Sequence, residues 1–184
     1  KWPGYDEGHW FVQDRAAQWV SSLLEVRAGE RVLDACSAPG GKATHLVELM
    51  RNQGEVWAVD RSKKRLKLLS SNADRLGCNC LNLLVADASS LLKIKPGWKG
   101  SFQRILLDAP CSGLGTLARH PDARWRIQPA QIKELAALQS KLLDGLLPLL
   151  SPKGRIVYAT CTIHPDENVH QIEKLLARHP GLIL

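Results

Sequence analysis

Apolar residues along this chain follow two rhythms. Short apolar runs occur at Arg31–Asp34, Glu55–Asp60, Leu81–Asp87 and Phe102–Asp108, each closing on a carboxylate, and a fifth, Arg155–Ala159, closes before Thr160-Cys161. Unbroken runs of that length, bounded by glycine or proline, predict strands buried on both faces. Between them the apolar positions recur at helical spacing. Ala16, Trp19, Val20, Leu23 and Leu24 follow Asp14, a good N-cap, and predict a helix that ends near Gly29 and lies on the sheet. Further helices are predicted from Lys42 to near Gly54, from Ser62 to Leu76 with Gly77 as its stop, from Pro129 to about Leu147, and from Pro165 to about His179. On the Pro129 helix, Ile132, Leu135, Leu138, Leu142 and Leu146 share one side and read as core. Pro152-Lys153-Gly154 reads as a break before the fifth strand, and Glu167-Asn168-Val169 as part of the last helix's cap, where Asp166 and Glu167 favour its dipole.

Strands alternating with helices predict an α/β fold with a doubly wound, mostly parallel sheet. Ligands of such sheets sit beyond the carboxyl ends of the strands. Asp34, Asp60, Asp87, Asp108, Cys111 and Cys161 all fall at those ends. With 184 residues, 45% of them hydrophobic, the chain has enough material for one domain spanning 1–184. Lys1 to Val12, rich in Trp, Gly and Pro, reads as the interior of a longer protein. No apolar run reaches the roughly 18 residues that cross a bilayer, and Lys1 to Gly8 lacks a signal peptide's apolar segment. A cytoplasmic, monomeric protein without a membrane partner is expected.

The turn after the first strand carries the first chemistry. Ser37 to Gly41 can continue neither strand nor helix, and Lys42 opens a helical pattern. Gly40 and Gly41 let backbone N–H groups approach a ligand, and the helix that follows offers its positive end. An anionic or carboxylate-bearing cofactor is expected across Cys36, Ser37, Ala38, Pro39, Gly40, Gly41 and Lys42. The stretch has neither the G-x-G-x-x-G spacing of nicotinamide sites nor the GK[ST] of a phosphate loop. Asp60, about 20 residues past the turn, is placed to accept the ribose hydroxyls of a nucleoside, or else caps the next helix. Asp87 is placed to accept from an exocyclic amine such as adenine's. Arg61, Lys63, Lys64, Arg65 and Lys67 make a basic helix start, a solvated face from which Arg65 is counted with the cofactor site.

Charge and cysteine content add a partner and a reactive group. A net charge of +7 suits a polyanion. Arg119, His120, Arg124, Trp125 and Arg126 form a basic and aromatic loop beside Cys111, apt for phosphate contact and base stacking; the alternative for Trp125 is a core anchor. The five cysteines are an odd number, without metal-type spacing apart from the close pair Cys78 and Cys80, and read as reduced thiols; no metal is expected. Cys36 reads as a small turn residue. Lys42 serves either the cofactor turn or an active-site hydrogen bond.

Three segments narrow the reading. Asp34-Ala35-Cys36-Ser37-Ala38-Pro39-Gly40-Gly41-Lys42, Asp108-Ala109-Pro110-Cys111-Ser112-Gly113-Leu114-Gly115 and Tyr158-Ala159-Thr160-Cys161-Thr162-Ile163 resemble, in that order, the motifs of the RNA (cytosine-5) methyltransferases of the RsmB/Sun group and its eukaryotic Sun-type counterparts. Gly8 to Ala17 is similar to that family's entry to its catalytic domain. Ser37 and Ala43 depart from it, standing where alanine and threonine are common. The resemblance implies a class I, Rossmann-like methyltransferase using S-adenosyl-L-methionine, with Asp60 at the ribose, Asp87 at the adenine edge and the turn at the methionine portion. It implies methylation of cytosine carbon 5 in RNA, ribosomal RNA foremost. Carbon 5 is a poor nucleophile, so a thiolate must first add to carbon 6, and a second group must assist its release. By resemblance Cys161 is the nucleophile, Cys111 serves product release, and Asp108 stabilises the protonated ring nitrogen 3. DNA cytosine methyltransferases instead use a Pro-Cys nucleophile, which Pro110-Cys111 would supply, but serine follows Cys111 where they usually have glutamine, and they lack the Thr-Cys element. Two other readings stay open: methylation of a different acceptor, and an idle RNA-binding module of the same fold.

Overall fold

The computed structural model describes residues 2–184. In chain order the elements are α1 (Arg15–Leu23), β1 (Arg31–Asp34), α2 (Gly41–Leu49), β2 (Glu55–Asp60), α3 (Lys63–Arg75), β3 (Leu81–Val85), α4 (Leu91–Ile94), β4 (Phe102–Asp108), α5 (Ala123–Arg126), α6 (Pro129–Leu146), β5 (Leu150–Ala159) and α7 (Val169–Arg178). All five strands are parallel and lie in the order β3-β2-β1-β4-β5. The order reverses between β1 and β4, and at such a switch point the loops leaving the two strands diverge and open a crevice.

Alternation along the central strands feeds two cores. Val32, Val56 and Leu106 join Leu24, Leu46, Val47 and Met50 under α1 and α2, and Ala58 continues this layer toward Leu66 and Leu69 of α3. Leu33, Val59, Ile105 and Leu107 point the other way, against Leu142, Leu143 and Leu146 of α6 and Leu175 of α7. Helices therefore cover both faces, as expected. Each fully buried Leu contributes about 1.5–3 kcal/mol over an exposed one, so both layers hold the central strands firmly.

The boundaries differ from expectation in instructive places. α1 stops at Leu23, and Trp19 and Leu23 face solvent, because Val20, Ser21 and Leu24 already fill the side turned toward α2 and the sheet. α2 ends at Leu49, where Arg51 and Asn52 turn left-handed. β3 ends at Val85, so Asp87 is not a strand tip but the cap of the short turn Ala88–Ser90. β5 begins at Leu150 and runs through Pro152-Lys153-Gly154; the extra residues are absorbed as a register shift against Phe102 and Arg104 of β4. Ile132 and Leu135 are only half-buried, since the first turns of α6 project beyond the sheet. The last helix is broken: a 3-10 turn at Pro165–Glu167, an irregular Asn168, then α7.

Candidate active site

Loops leaving all five strands contribute residues beyond the strand ends around the β1–β4 switch. The first is the turn from β1 into α2. Gly40 caps α2 with φ +111°, and a Cβ there would lie 2.4 Å from Cγ of Leu69. Only glycine keeps this turn pressed on α3. Ser37 donates to the Val59 carbonyl at 3.2 Å, and Arg65 donates to the Ala38 carbonyl, so the turn is tied to β2 and α3. Asp60 is buried and accepts from the Ser62 amide at 2.8 Å and the Ala38 amide at 3.3 Å, with Arg65 3.5 Å away. It joins the helix start to the Ser37–Gly41 turn, while Ser62 is the residue that caps α3. Asp87 accepts from the Ser89 amide and hydroxyl at 2.9 and 2.7 Å. The Ser89 hydroxyl above all holds its carboxyl below the usual carboxylate range.

Two cavities flank this turn. One, about 80 Å³, is lined by Cys36, Asp60, Arg65, Asp87, Pro110 and Leu138. The other, about 250 Å³, runs from the same turn to Asp34, Lys42 and Asp108, and is walled by Phe11 to Asp14 of the N-terminal segment. A larger cavity, about 500 Å³, lies away from the strand ends, between Gly8–Phe11 and α2, and contains none of their carboxylates. Asp34 is fully buried, and among the described residues neither of its oxygens has a hydrogen-bond partner of good geometry. Burial pushes its carboxyl up to about 8, Asp108 adding to the effect and Lys42 and the Cys36 amide opposing it. An unpaired, buried acid beside a cavity is a prepared partner for a cation.

The reactive group stands at the ends of β4 and β5. Cys111 Sγ and Cys161 Sγ approach to 3.3 Å, as free thiols sharing a hydrogen bond. A disulfide would need about 2.05 Å. Because the Cys111 thiol donates, Cys161 is lowered to about 7; Lys42 contributes, while burial and Asp108 oppose. Cys111 is pushed far up for the same reason, with burial adding to it. The two sulfurs thus share a hydrogen bond that makes Cys161 the more acidic thiol of the pair. Lys42 reaches across from α2 and donates to Asp108 at 2.6 Å. Cys36 is half-buried, and burial, helped by Asp34 and Asp60, pushes its thiol up to about 12. Cys78, pushed up to about 11 by burial, and Cys80 lie by β2 and α3, remote from this centre.

Behind the two sulfurs lies a polar layer that sequence reasoning took for a helix cap. Glu167 is fully buried, and its carboxylate accepts from the Ser112 amide at 2.9 Å, the Ser112 hydroxyl, and Gln139 Nε2 of α6 at 3.0 Å. Asn168 accepts from the Thr160 hydroxyl at 2.6 Å and donates to the Thr162 carbonyl at 2.8 Å. The only clue in the chain was a glutamine on the otherwise leucine-rich face of α6. Of the basic loop, Arg119 pairs with Asp14 and Arg126 with Asp122, whereas Trp125 is 81% exposed. Trp125 is therefore not a core anchor.

Comparison with known proteins agrees with this arrangement. Residues 21–184 match the family model for the 16S rRNA methyltransferase RsmB/F. The ribosomal RNA small subunit methyltransferase B of Pseudomonas syringae pv. tomato is 49% identical over 180 residues, covering 97% of this chain and 39% of that protein. The probable ribosomal RNA small subunit methyltransferase B of Synechocystis is 46% identical over 180 residues, covering 96% and 39%. The crystal structure of NSun6 from Pyrococcus horikoshii with SFG superposes with a TM-score of 0.88 at 30% identity, covering 97% of this chain and 44% of that one. This chain thus spans about 40% of the length of the curated relatives it matches. With its doubly wound parallel sheet and its paired strand-end cysteines, the chain belongs to the RsmB/F family of 16S rRNA methyltransferases.

Proposed function

We propose that this domain transfers a methyl group from S-adenosyl-L-methionine to carbon 5 of a cytosine in RNA, ribosomal RNA of the small subunit foremost, through a covalent adduct of Cys161 with carbon 6. The observation that carries the reading is the 3.3 Å approach of Cys111 and Cys161 beside the Lys42–Asp108 pair. A methyltransferase working on a nucleophilic nitrogen needs no such pair of thiols.

The cofactor fits the residues present. SFG, bound by the Pyrococcus relative, is an analogue of S-adenosyl-L-methionine. The orphaned Asp34 carboxyl matches the methionine ammonium, the α2 N-terminus and the Ser37–Gly41 amides match its carboxylate, and Asp60 and Asp87 border the cavity suited to the nucleoside. When bound, the cofactor supplies an electrophilic methyl group.

The chain's own residues account for the rest. The Cys161 thiolate adds its electron pair to carbon 6, and the ring electrons move toward carbon 5 and nitrogen 3, where Asp108 holds a proton on nitrogen. Forming the carbon–sulfur bond removes the thiolate that kept the proton on Cys111, so Cys111 becomes easier to deprotonate. Once its own proton has passed to water, the Cys111 thiolate accepts the carbon-5 proton as the carbon–sulfur bond breaks and Cys161 leaves as thiolate. Asp108 is held in place by Lys42, which also compensates its charge.

Replacing each cysteine separates the roles. With the full-length protein and target RNA, Cys111→Ala accumulates a denaturant-stable protein–RNA adduct, and Cys161→Ala forms none. An adduct trapped by Cys161→Ala instead would reverse the assignment, and methylation of a base nitrogen by the wild type would overturn the reaction class.

A further inference from the structure

The two cysteine loops meet through a buried carboxylate rather than through each other's backbones alone. Gln139 Nε2 donates to the Pro110 carbonyl at 2.9 Å as well as to Glu167, and Glu167 takes both the amide and the hydroxyl of Ser112. Cys111 is thereby fixed on both sides. The Ser112 hydroxyl, its proton engaged by Glu167, accepts from the Thr162 hydroxyl at 2.8 Å, and Asn168 grips Thr160 and the Thr162 carbonyl. Cys161 is fixed on both sides too. Around it Gly115 donates to the Cys161 carbonyl at 3.0 Å, and a Cβ at Gly115 would meet that oxygen at 2.9 Å, so the loops are already in contact. The Tyr158 hydroxyl donates at 2.7 Å to the backbone carbonyl of Glu167, closing the layer from β5.

We propose that Glu167 is the positioning residue of the dithiol: its carboxylate clamps the Cys111 loop to the Cys161 loop and sets the sulfur–sulfur approach that activates the nucleophile. The proposal rests on the dithiol reading above but concerns how the pair is held. A helix cap would leave Glu167 exposed at a first turn; instead three donors converge on it in a place with no solvent exposure. Keeping a buried carboxylate costs several kcal/mol unless each lone pair is used, and here the donors are those that bracket Cys111.

Thiol alkylation of this chain tests the clamp without requiring methyl transfer. Groups facing Cys161 are Cys111, Asp108 and Lys42; near Glu167 stand Tyr158 of β5, His164 and Asp166 at the adjoining turn, and His170 of α7, the two histidines both pairing with Asp166. Iodoacetamide modification of Cys161, read by peptide mass spectrometry across pH 5 to 10, gives the midpoint of its titration. Glu167→Ala is expected to raise that midpoint by at least one pH unit and slow alkylation at pH 7 about tenfold, with the limiting rate at high pH within twofold of wild type. Glu167→Gln, which keeps an acceptor for the Ser112 amide, recovers most of the loss. Should Glu167→Ala fail to fold, Ser112→Ala removes the bridge to Thr162 and is expected to move the midpoint in the same direction. A folded variant with a wild-type midpoint overturns the clamp. If the midpoint shifts as expected while the full-length wild type methylates no cytosine carbon, the clamp stands and the proposed function falls.

Discussion

A single unpaired acid governs how the cofactor turn titrates. Asp34 sits at the tip of β1 with its carboxyl raised to about 8, so in the free protein at pH 7 it is mostly protonated. Its folded value lies above the unfolded one, near 3.9, so the folded state binds the extra proton and stability falls as pH rises from about 4 through 8. A ligand ammonium docking against Asp34 reverses that preference. Binding of S-adenosyl-L-methionine at pH 7 is therefore expected to release close to one proton, measured as the dependence of calorimetric binding enthalpy on buffer ionisation enthalpy. Asp34→Asn should abolish the release, weaken binding by tenfold or more, and flatten the fall in Tm between pH 5 and pH 8. Proton release unchanged in Asp34→Asn would show that another group meets the ammonium. At this scale the chain disclosed chemistry well and geometry poorly. Asp34, Asp60, Asp108, Cys111 and Cys161 stand out because each follows an apolar run. Glu167 and Gln139 do not, because a buried carboxylate and a surface one have the same letter, and only folding brings Ser112 and Gln139 to Glu167 across 55 and 28 positions respectively.

At the scale of elements, the strands were legible because the sheet is covered on both sides, which removes the need for alternation and leaves runs of Val, Leu and Ile. The same burial obscures their ends. Nothing local marks β5 as starting at Leu150, since its first residues pair with Phe102 and then loop out past Lys153 before rejoining at Arg155. α1 misled for the converse reason: its apolar spacing is helical, but Trp19 and Leu23 lie on the side the sheet does not reach. The β1–α2 turn was the clearest element, and its glycine allows a sharp test. Gly40→Ala combines a left-handed φ with a collision at Leu69 and is expected to cost about 2 kcal/mol, or roughly 4–8 °C in Tm, while weakening cofactor binding. Gly77→Ala shares the positive φ of 66° but meets nothing within 4 Å, so it should lose less stability and leave cofactor binding intact. Thermal melts with and without S-adenosyl-L-methionine compare the two. Equal effects of both substitutions on binding would show that the turn's close approach to α3 is not what shapes the site.

For the whole molecule, the charge of +7 matters only where it is free to meet a polyanion. Arg31, Arg65, Arg104, Arg119, Arg155 and Arg178 all pair with acids and cancel there, so the surplus lies with cations outside these pairs. The Arg119–Asp14 pair ties the loop after Cys111 to the segment that walls the cofactor cavity, and Arg124, Trp125 and Arg126 of that loop are exposed. The exposed pair Arg126–Asp122, worth at most about 1 kcal/mol, does not prevent Arg126 from turning to a phosphate. Arg124→Ala and Arg126→Ala should each weaken binding of a single-stranded RNA across sequences and lower the slope of log affinity against log salt by about one. Trp125→Ala should cost about 1–3 kcal/mol with little change in that slope, because stacking releases no counterions. Filter binding between about 50 and about 300 mM salt reads both effects. If all three substitutions leave the affinity and its salt slope at wild-type values, RNA approaches the thiols from another side, and the outward face of this loop has a different use.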